Sequence, residues 1–306
     1  MSEKLVLMYH SISGKENPSV IGSFPIPIDR FIYQIESLLA EGWVPTPISQ
    51  LHQTFGESER RLYITSDDGT IDWSRNALTW CEKNKIPTHT AVITGPWNRE
   101  PLFPLTHVIQ VKLSVCSPQS LNELAKRIKD QITKEEFNYI EIVYGYEKEP
   151  YRRIIKGAFN LIFQKNKAYE ILGELTEIEK WHLERRFESH QNYKKFKYAE
   201  MGVHTHSHNA LDLDTDTYVK DEILHSQKNI EDAGYSPSKY FTLPMQPMHG
   251  AKTESLIEPL KLHGYKGILV ANSGQWDGES FIIPRVDGIH VEEFVGIPPF
   301  RKSSKI

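Results

Sequence analysis

The chain has 306 residues, of which 39% are hydrophobic and 25% are charged, and this composition excludes a disordered or collagen-like protein. Its 36 basic and 40 acidic residues give a net charge of −4, which argues against a nucleic-acid partner because phosphate binding usually needs an excess of positive charge. The chain has no apolar run of about 18 residues that would span a membrane, and the apolar stretch at its N-terminus is a poor signal peptide. Its 2 cysteines provide no disulfide framework. We therefore expect a cytoplasmic protein without a membrane span, and its oligomeric state is left open.

Short apolar runs alternate with amphipathic stretches through most of the chain. The predicted strands are residues 5–9, 43–46, 62–64, 89–93, a short run closed by Val203, 240–243, 267–271 and 281–283. The predicted helices are residues 29–41, 72–84, 216–233 and 253–263. This alternation predicts an α/β fold in which a parallel sheet or barrel is surrounded by helices.

Residues 100–198 interrupt this alternation. They are rich in lysine, glutamate and leucine, and apolar residues such as Leu121, Leu124 and Ile128 recur at helical spacing. We predict one domain over residues 1–306 with a helical insertion at 100–198. Because the insertion separates two segments that carry candidate site residues, it either covers the site as a lid or forms a decorative or oligomerising subdomain.

Two adjacent carboxylates follow the predicted strand at 62–64. The segment over residues 65–69 reads TSDDG, so Asp67 and Asp68 come directly after an apolar strand. Adjacent carboxylates raise one another's pKa unless a cation or a basic group is near, and barrel enzymes place catalytic groups at the C-terminal ends of strands. The pair is therefore a candidate for catalysis or metal binding, and the alternative is an ordinary turn between strand and helix.

Three histidines stand close together in the segment HTHSH at residues 204–208. His204 and His208 are four residues apart, and one turn of helix would place both on one face, whereas His206 would point elsewhere. Two imidazoles and one carboxylate leave open positions around a divalent transition metal, as a catalytic metal requires. The alternative is a polar turn at the surface.

A further histidine, His10, follows the first predicted strand. The C-terminal ends of the strands of a parallel barrel lie on one face. His10, Asp67 and the histidines of 204–208 can therefore converge although they are far apart in the sequence. Taken alone, a single histidine such as His10 is more often a core or rim residue than a functional one.

Together and in this order, the motifs resemble those of the NodB-homology polysaccharide deacetylases, carbohydrate esterase family 4. The matching segments are ITSDDG at residues 64–69, PTHTAV at 87–92, HTHSH at 204–208, FTLP at 241–244 and IPR at 283–285. The resemblance covers about residues 4–97 and 199–290, and the insertion between them has no recognised counterpart.

This resemblance implies a distorted (β/α) barrel and a metal-dependent hydrolase that removes the acyl group from an N-acylated sugar or glycan. Carried over to this chain, Asp68, His204 and His208 are the ligands of a divalent metal, and Asp67 is the general base. Zinc is the first choice of metal, with cobalt, nickel and iron as alternatives.

The general acid of this family is a histidine in a Leu-x-His segment near the C-terminus, and no such segment stands near the end of this chain. The segment LMYH at residues 7–10 has that form at the N-terminus, as in a circularly permuted member of the family. We therefore predict His10 as the general acid and keep His290 as the alternative.

The loop after the predicted strand at 240–243 also departs from the family pattern, which often has an arginine two residues before the proline. Pro244 and Met245 are predicted to contact the substrate, with the Met245 N–H as a donor to the oxyanion. Because that arginine is missing, the partner of Asp67 is left open. Arg285, which we group with the substrate-binding residues, is the candidate partner.

We expect a de-N-acylase that removes acetyl or formyl groups in the biosynthesis of a surface polysaccharide of the O-antigen or capsule type, lipopolysaccharide included. One alternative is a non-catalytic sugar-binding protein on a decayed deacetylase barrel, and another is a metal-dependent hydrolase of a non-sugar amide. The presence of Asp67 favours an enzyme, since binding alone needs only the metal ligands.

Overall fold

The apolar runs of the sequence form the strands of parallel sheets. The computed structural model describes residues 3–14, 25–56, 58–99, 103–163, 165–210, 214–245 and 252–301. The strands are β1 (Glu3–Tyr9), β2 (Ile12–Ser13), β3 (Ile26–Pro27), β4 (Trp43–Pro45), β5 (Arg60–Ser66), β6 (Thr88–Val92), β7 (Ala199–Val203), β8 (Tyr240–Thr242), β9 (Gly267–Val270), β10 (Ile282–Pro284) and β11 (Val286–Asp287). The pairs that these strands form are parallel.

Helices connect the strands. The α-helices are α1 (Ile28–Ala40), α2 (Thr79–Lys83), α3 (Gly95–Asn98), α4 (Leu105–Val115), α5 (Pro118–Lys129), α6 (Lys134–Val143), α7 (Pro150–Gly157), α8 (Lys165–Leu172), α9 (Glu177–Glu184), α10 (His190–Tyr193), α11 (Thr215–Tyr218), α12 (His225–Asp232), α13 (Ile257–Leu262) and α14 (Val291–Val295). The predicted helices at 72–84 and 216–233 each contain a π-helical stretch, at Trp73–Leu78 and Val219–Leu224. Within the described ranges, every helix is too short or too polar to cross a membrane.

Two of the sheets form the wall of an open barrel. The larger sheet has the order β11-β1-β5-β6-β7, with β4 also paired to β5, and the smaller has the order β10-β9-β8. Apolar side chains of both sheets, such as Leu7, Val203 and Ile268, belong to one buried cluster. The sheets meet where Ser238 N donates to the carbonyl of Met201 at 2.7 Å. The arrangement is the α/β barrel that the β–α alternation predicts.

The strand that precedes His10 shows why such strands are evident in the sequence. The last five residues of β1 are all buried, because a parallel strand in the middle of a sheet is covered on both faces. Tyr9 at its end donates a hydrogen bond to Gln34 Oε1 at 2.8 Å, and its ring packs edge-on against Phe31 at 4.9 Å. These contacts fix the position from which His10 leaves the strand.

The end of the barrel differs from the prediction. The sequence predicts one last strand at 281–283, whereas the structure has two, β10 and β11, with Arg285 between them. β10 pairs with β9 and β11 pairs with β1, where Val286 lies opposite Leu7. The second strand escapes prediction because it is only two residues long and follows an arginine. The chain thus passes from one sheet to the other at Arg285.

The described part of the insertion is helical. Helices α4 to α10 lie between β6 and β7. Helices α4 to α9 bury a hydrophobic cluster of their own, to which Leu121, Leu124 and Ile128 contribute. α6 and α9 each begin with a capping box, which satisfies backbone N–H groups of the first turn. The division into one domain with an insertion at 100–198 stays a prediction.

Candidate active site

The ends of neighbouring strands bring the predicted site residues together. β1 and β5 run in register, so His10 and Asp67 leave them side by side, and Asp67 N donates to the Tyr9 carbonyl at 3.0 Å. On the far side of β6, His204 follows β7, and its N–H donates to the Val92 carbonyl at 3.1 Å. The parallel register therefore places these residues at one edge of the sheet.

Asp67 is held by a buried arginine. Arg285 Nη1 donates to Asp67 Oδ1 at 2.7 Å and Nη2 donates to Oδ2 at 2.8 Å, which makes a bidentate pair. Arg285 also donates to Thr65 Oγ1 at 3.0 Å and to the Val270 carbonyl at 3.2 Å, and its side chain is fully buried. The structure therefore places Arg285 beneath Asp67, as its partner, and not among residues open to a substrate as the grouping from sequence expects.

This pair decides the charge of Asp67. Burial opposes ionisation of the carboxyl group, but the charge of Arg285 and its hydrogen bonds outweigh burial and lower the pKa of Asp67 to about 2. Asp67 is therefore ionised at neutral pH. His10 Nε2 lies 3.7 Å from Asp67 Oδ2, and the His10 side chain is 37% exposed. A buried carboxylate thus faces an imidazole that reaches solvent.

Asp68 faces two other imidazoles. Its Oδ1 lies 3.4 Å from His204 Nε2 and 3.3 Å from His208 Nε2. Burial opposes the ionisation of Asp68, and the surrounding histidines overcome this effect and hold its pKa well below the usual value. The backbone is left-handed at both Asp68 (φ 72°) and Gly69 (φ 70°). This turn lets adjacent carboxylates face different partners.

His204 and His208 come together without a helical turn. The chain between them is irregular, with left-handed backbone at Thr205 (φ 65°) and His208 (φ 60°). The Thr205 hydroxyl accepts a hydrogen bond from His208 N at 2.9 Å. His206 turns elsewhere and stacks on His225 at 4.0 Å. A tight loop, and not the helical face considered from the spacing, therefore places the two imidazoles beside Asp68.

A buried carboxylate that the sequence analysis does not single out holds this loop. Glu222 accepts hydrogen bonds from the backbone N–H of His206 at 3.0 Å and of Ser207 at 2.8 Å. It also accepts from the Ser207 hydroxyl at 2.5 Å and from the Asn209 amide at 3.0 Å. A glutamate in an amphipathic helix usually faces solvent, so the sequence carries no signal for this role.

Oxygen atoms meet the far nitrogens of both imidazoles. His204 Nδ1 donates to the Thr242 carbonyl at 2.9 Å, so a neutral His204 ring offers its Nε2 lone pair on the side of Asp68. His208 Nδ1 lies 2.6 Å from Thr106 Oγ1, a residue of α4 in the insertion. Oxygen partners of this kind orient metal-binding histidines.

A third imidazole, which the sequence analysis misses, reaches Asp68 from the insertion. His107 Nε2 lies 3.6 Å from Asp68 Oδ1, and the His107 side chain is fully buried. Burial lowers the pKa of His107 to about 4. Its ring packs edge-on against Phe187 at 4.7 Å and lies 5.6 Å from the ring of His208. The only sequence signal is a histidine in an apolar helix, and this fits an ordinary core residue equally well.

The donor set fits a divalent transition metal. The ligand atoms of Asp68, His204 and His208 all lie within 4.8 Å of one another. Bonds of about 2.0–2.1 Å place two ligand atoms of a tetrahedral ion roughly 3.3–3.4 Å apart, and the two distances from Asp68 Oδ1 have these values. This oxygen is buried and has no hydrogen-bond partner in the described part of the chain. Two neutral imidazoles and a carboxylate leave coordination positions open.

Comparison with known proteins connects this site to a family. The sequence profile described as polysaccharide deacetylase matches residues 178–268, which include His204 and His208. No protein with a curated description matches the chain. Part of the chain therefore matches the polysaccharide deacetylase family by sequence. The predicted resemblance to this family is thereby confirmed, and so is the predicted class of enzyme, a hydrolase of the polysaccharide deacetylase type.

Solved structures that include deacetylases share the barrel. The Streptococcus pyogenes deacetylase PplD in complex with acetate is similar with a TM-score of 0.57 and 13% identity, over 97% of this chain and 99% of that chain. IcaB from Ammonifex degensii is similar with a TM-score of 0.58 and 14% identity, over 96% of both chains. A de-N-acetylase from Aggregatibacter actinomycetemcomitans has a TM-score of 0.55 and 13% identity, over 94% of this chain and 95% of that chain. These likenesses confirm the predicted deacetylase-type barrel.

The two candidate general acids occupy different places. His10 follows β1 and lies beside Asp67. His290 follows β11, is exposed and precedes α14. Within the described residues, no hydrogen bond or ion pair joins His290 to Asp67. The arrangement favours His10, and the role of either histidine stays a prediction.

The loop after β8 approaches the site through Thr242, whose carbonyl accepts the hydrogen bond from His204. Pro244 is buried, and Met245 is partly buried with a left-handed backbone (φ 59°). Residues 246–251, which continue the loop, lie outside the described residues. The contacts of Pro244 and Met245 with a substrate stay a prediction.

Proposed function

We propose that the chain is a metal-dependent de-N-acylase that removes the acyl group from an amino sugar during biosynthesis of a surface polysaccharide. The observation that carries the proposal is the position of the ligand atoms of Asp68, His204 and His208, within 4.8 Å of one another and next to an ionised Asp67. A metal site with open positions beside an ionised carboxylate is the minimum that hydrolysis of an amide by water requires.

Asp68, His204 and His208 would hold the metal. When bound, a divalent ion supplies Lewis-acid polarisation of the acyl oxygen and lowers the pKa of water from 15.7 toward about 7. Imidazole and carboxylate ligands suit zinc, cobalt, nickel and iron alike, and we propose zinc as the resident metal.

Asp67 would act as the general base. Its pKa of about 2 keeps it ionised, so it accepts the proton of the attacking water at a carboxylate oxygen. Arg285 makes this carboxylate a weaker base and at the same time fixes its orientation through two hydrogen bonds. The fixed orientation favours proton transfer, because a positioned group needs no reorganisation at the moment of reaction.

His10 would act as the general acid. Amide hydrolysis must deliver a proton to the leaving nitrogen, since an amide anion is a very poor leaving group. His10 Nε2 lies 3.7 Å from Asp67 Oδ2, so the group that accepts a proton and the group that donates one lie next to each other. The N–H of Met245 would donate to the oxyanion, where one such donor is worth about 2.7–4 kcal/mol.

The chemistry of related proteins supports an acetyl group as the acyl group. One similar structure is a deacetylase in complex with acetate, and another is a de-N-acetylase. We propose an N-acetylated amino sugar within a glycan as the substrate, with an N-formyl sugar as the second choice.

Amine release from a panel of N-acetyl and N-formyl amino sugars and their oligomers, with added Zn²⁺ or Co²⁺, tests the proposal. Asp67→Asn is expected to lower turnover by about 10²–10⁴-fold or more while it keeps its metal. His204→Ala is expected to lose both metal and turnover, and the exposed His263→Ala is the control that changes neither. Equal metal content in the parent and in His204→Ala, measured by elemental analysis, would contradict the ligand assignment.

The alternative of a non-catalytic sugar-binding protein makes the opposite prediction for the same panel. Metal binding without amine release from any substrate supports that alternative. The buried pair of Asp67 and Arg285 argues against it, because a binding site needs no ionised carboxylate beside the metal ligands. Hydrolysis of simple amides but of no sugar in the panel would support a hydrolase of a non-sugar amide.

A further inference from the structure

We propose that His107, in the first turn of α4, is a positioning residue of the metal centre, whose Nε2–H group orients the carboxylate of Asp68. The insertion thereby supplies part of the support for the catalytic site. This inference rests on the metal centre of the proposed function.

The first argument is that two buried polar atoms face each other. His107 Nε2 lies 3.6 Å from Asp68 Oδ1, slightly beyond hydrogen-bond distance. Both atoms are buried, and within the described residues neither has a hydrogen-bond partner. Buried polar groups without partners are unfavourable. A small movement of either side chain satisfies both atoms, and contacts of this kind tighten when a site is loaded.

The second argument is that Arg186 determines which nitrogen of His107 carries the hydrogen. Arg186 Nε donates to His107 Nδ1 at 3.2 Å. Arginine has no acceptor, so Nδ1 must present its lone pair and the ring hydrogen is on Nε2. Arg186 is itself anchored, because its carbonyl accepts from Ile71 N at 3.0 Å in the loop that follows the aspartate pair.

This tautomer distinguishes the role of His107 from that of a metal ligand. A nitrogen that carries a hydrogen has no lone pair for a metal, so Nε2 donates to a carboxylate oxygen. His204 has the opposite arrangement, since its Nδ1 donates to the Thr242 carbonyl and a neutral ring therefore carries no hydrogen on Nε2. The histidines around Asp68 therefore differ in chemistry although their distances to Oδ1 are similar.

The third argument is a second contact from the same turn of α4. Thr106 Oγ1 lies 2.6 Å from His208 Nδ1. Two consecutive residues of the insertion thus meet two of the three metal-binding residues, Asp68 and His208. Partners of ligands in such positions typically change metal affinity about 10–100-fold when they are removed.

Titration of the metal-free protein with Co²⁺, followed by visible absorption, tests the inference. His107→Leu removes the donor and is expected to weaken Co²⁺ binding about 10–100-fold. His107→Gln places an amide N–H donor at nearly the same distance from the backbone and is expected to bind within about threefold of the parent, with the same absorption spectrum. Equal affinity of the parent and His107→Leu overturns the inference. Loss of affinity in His107→Gln equal to that in His107→Leu also overturns it.

Two further measurements keep the test decisive. Long-range ¹H–¹⁵N spectra of the metal-free parent are expected to show His107 as the Nε2–H tautomer, and the absence of this signal in His107→Gln assigns it. An Nδ1–H tautomer overturns the inference. Because this result is read from the parent protein, it does not depend on the stability of a variant. His204→Ala in the same titration separates the two proposals. If His204→Ala binds Co²⁺ as the parent does, the metal centre of the proposed function fails. If only His107→Leu binds Co²⁺ as the parent does, the metal centre stands and the positioning role fails.

Discussion

Arg285 leaves the barrel wall between β10 and β11 and binds both carboxylate oxygens of Asp67, at 2.7 and 2.8 Å. The position where the chain passes from one sheet to the other is thus also the position from which the proposed catalytic base is held. Arg285 and Asp67 are 218 residues apart in the sequence. Arg285 therefore lies where the two sheets are connected and also orients the proposed catalytic base.

Loss of this arginine should destabilise the fold strongly. Arg285→Met leaves the Asp67 carboxylate buried without its partner, and removal of one member of a buried pair typically costs about 3–5 kcal/mol. Urea unfolding measures the change in the free energy of unfolding. Lys228→Ala is the control, since it breaks an exposed pair with Asp232 that is typically worth less than about 1 kcal/mol. Similar losses for both variants would contradict the structural role assigned to Arg285.

The pair of Asp67 and Arg285 should make the free energy of unfolding depend on pH. The pKa of Asp67 is about 2 in the folded protein against an ordinary 3.8, so the folded state takes up this proton less readily than the unfolded chain. Its contribution is complete above the ordinary pKa and is lost as the pH falls from about 4 through 2. About two pKa units correspond to roughly 2–3 kcal/mol.

Urea unfolding of the parent and of Asp67→Asn at steps between pH 5 and 2 measures this dependence. The difference in unfolding free energy between the two proteins should shrink as the pH falls, because only the parent loses the contribution of an ionised Asp67. The pKa of Asp68 is also lowered. Its pH-dependent contribution to the free energy of unfolding is present in both proteins and cancels in their difference. A constant difference over this range would show that the Arg285 pair does not set the pKa of Asp67.

Much of the barrel is predictable from the sequence, because strands such as β1, β5 and β6 consist mostly of buried residues. The run that forms β1 has five consecutive buried residues, and such a run is visible without any partner. The end of the barrel is not predictable in the same way. β11 consists of Val286 and Asp287 alone, and only its pairing with β1 makes it a strand.

The residues of the candidate site are also predictable from the sequence only in part. Asp67, Asp68, His204 and His208 belong to local motifs that follow apolar strands, so their types and spacing suffice to single them out. His107 belongs to no motif, and the fold of the insertion alone brings it to Asp68. A local sequence pattern carries no information about contacts between residues that are far apart in the sequence.

The turn at Gly69 offers a test of how tightly the aspartate pair is placed. An added Cβ at Gly69 would lie 2.8 Å from Val92 Cγ1, a buried and rotationally stiff side chain, in addition to the strain of a left-handed backbone. Gly69→Ala should therefore lose about 1–3 kcal/mol more than backbone strain alone costs. Gly173→Ala is the matched control, because Gly173 is left-handed (φ 67°) with open space around it. Equal losses in urea unfolding would show that Val92 does not restrict this turn.

Glu222 offers a test of the histidine loop. Its carboxylate accepts backbone hydrogen bonds from His206 and Ser207, and Glu222→Gln replaces an acceptor oxygen by an amide that faces these donors. The variant should lose about 2–3 kcal/mol of stability and bind Co²⁺ about 10-fold or more weakly, because the loop carries His204 and His208. Glu231→Gln, at an exposed position of α12, is the control. Unchanged Co²⁺ affinity in Glu222→Gln would contradict the prediction that the hydrogen bonds of Glu222 to this loop support metal binding.

The choice between His10 and His290 can be made with two matched substitutions. His10→Gln keeps a polar side chain but cannot deliver a proton as imidazolium does, so kcat should fall about 10²–10⁴-fold while metal content stays that of the parent. His290→Gln should retain kcat, because His290 is exposed and makes no described contact with Asp67. An activated ester with a good leaving group needs less acid assistance, so His10→Gln should lose much less activity toward it than toward an N-acetyl sugar. A large loss of kcat in His290→Gln with a normal His10→Gln would reverse the assignment.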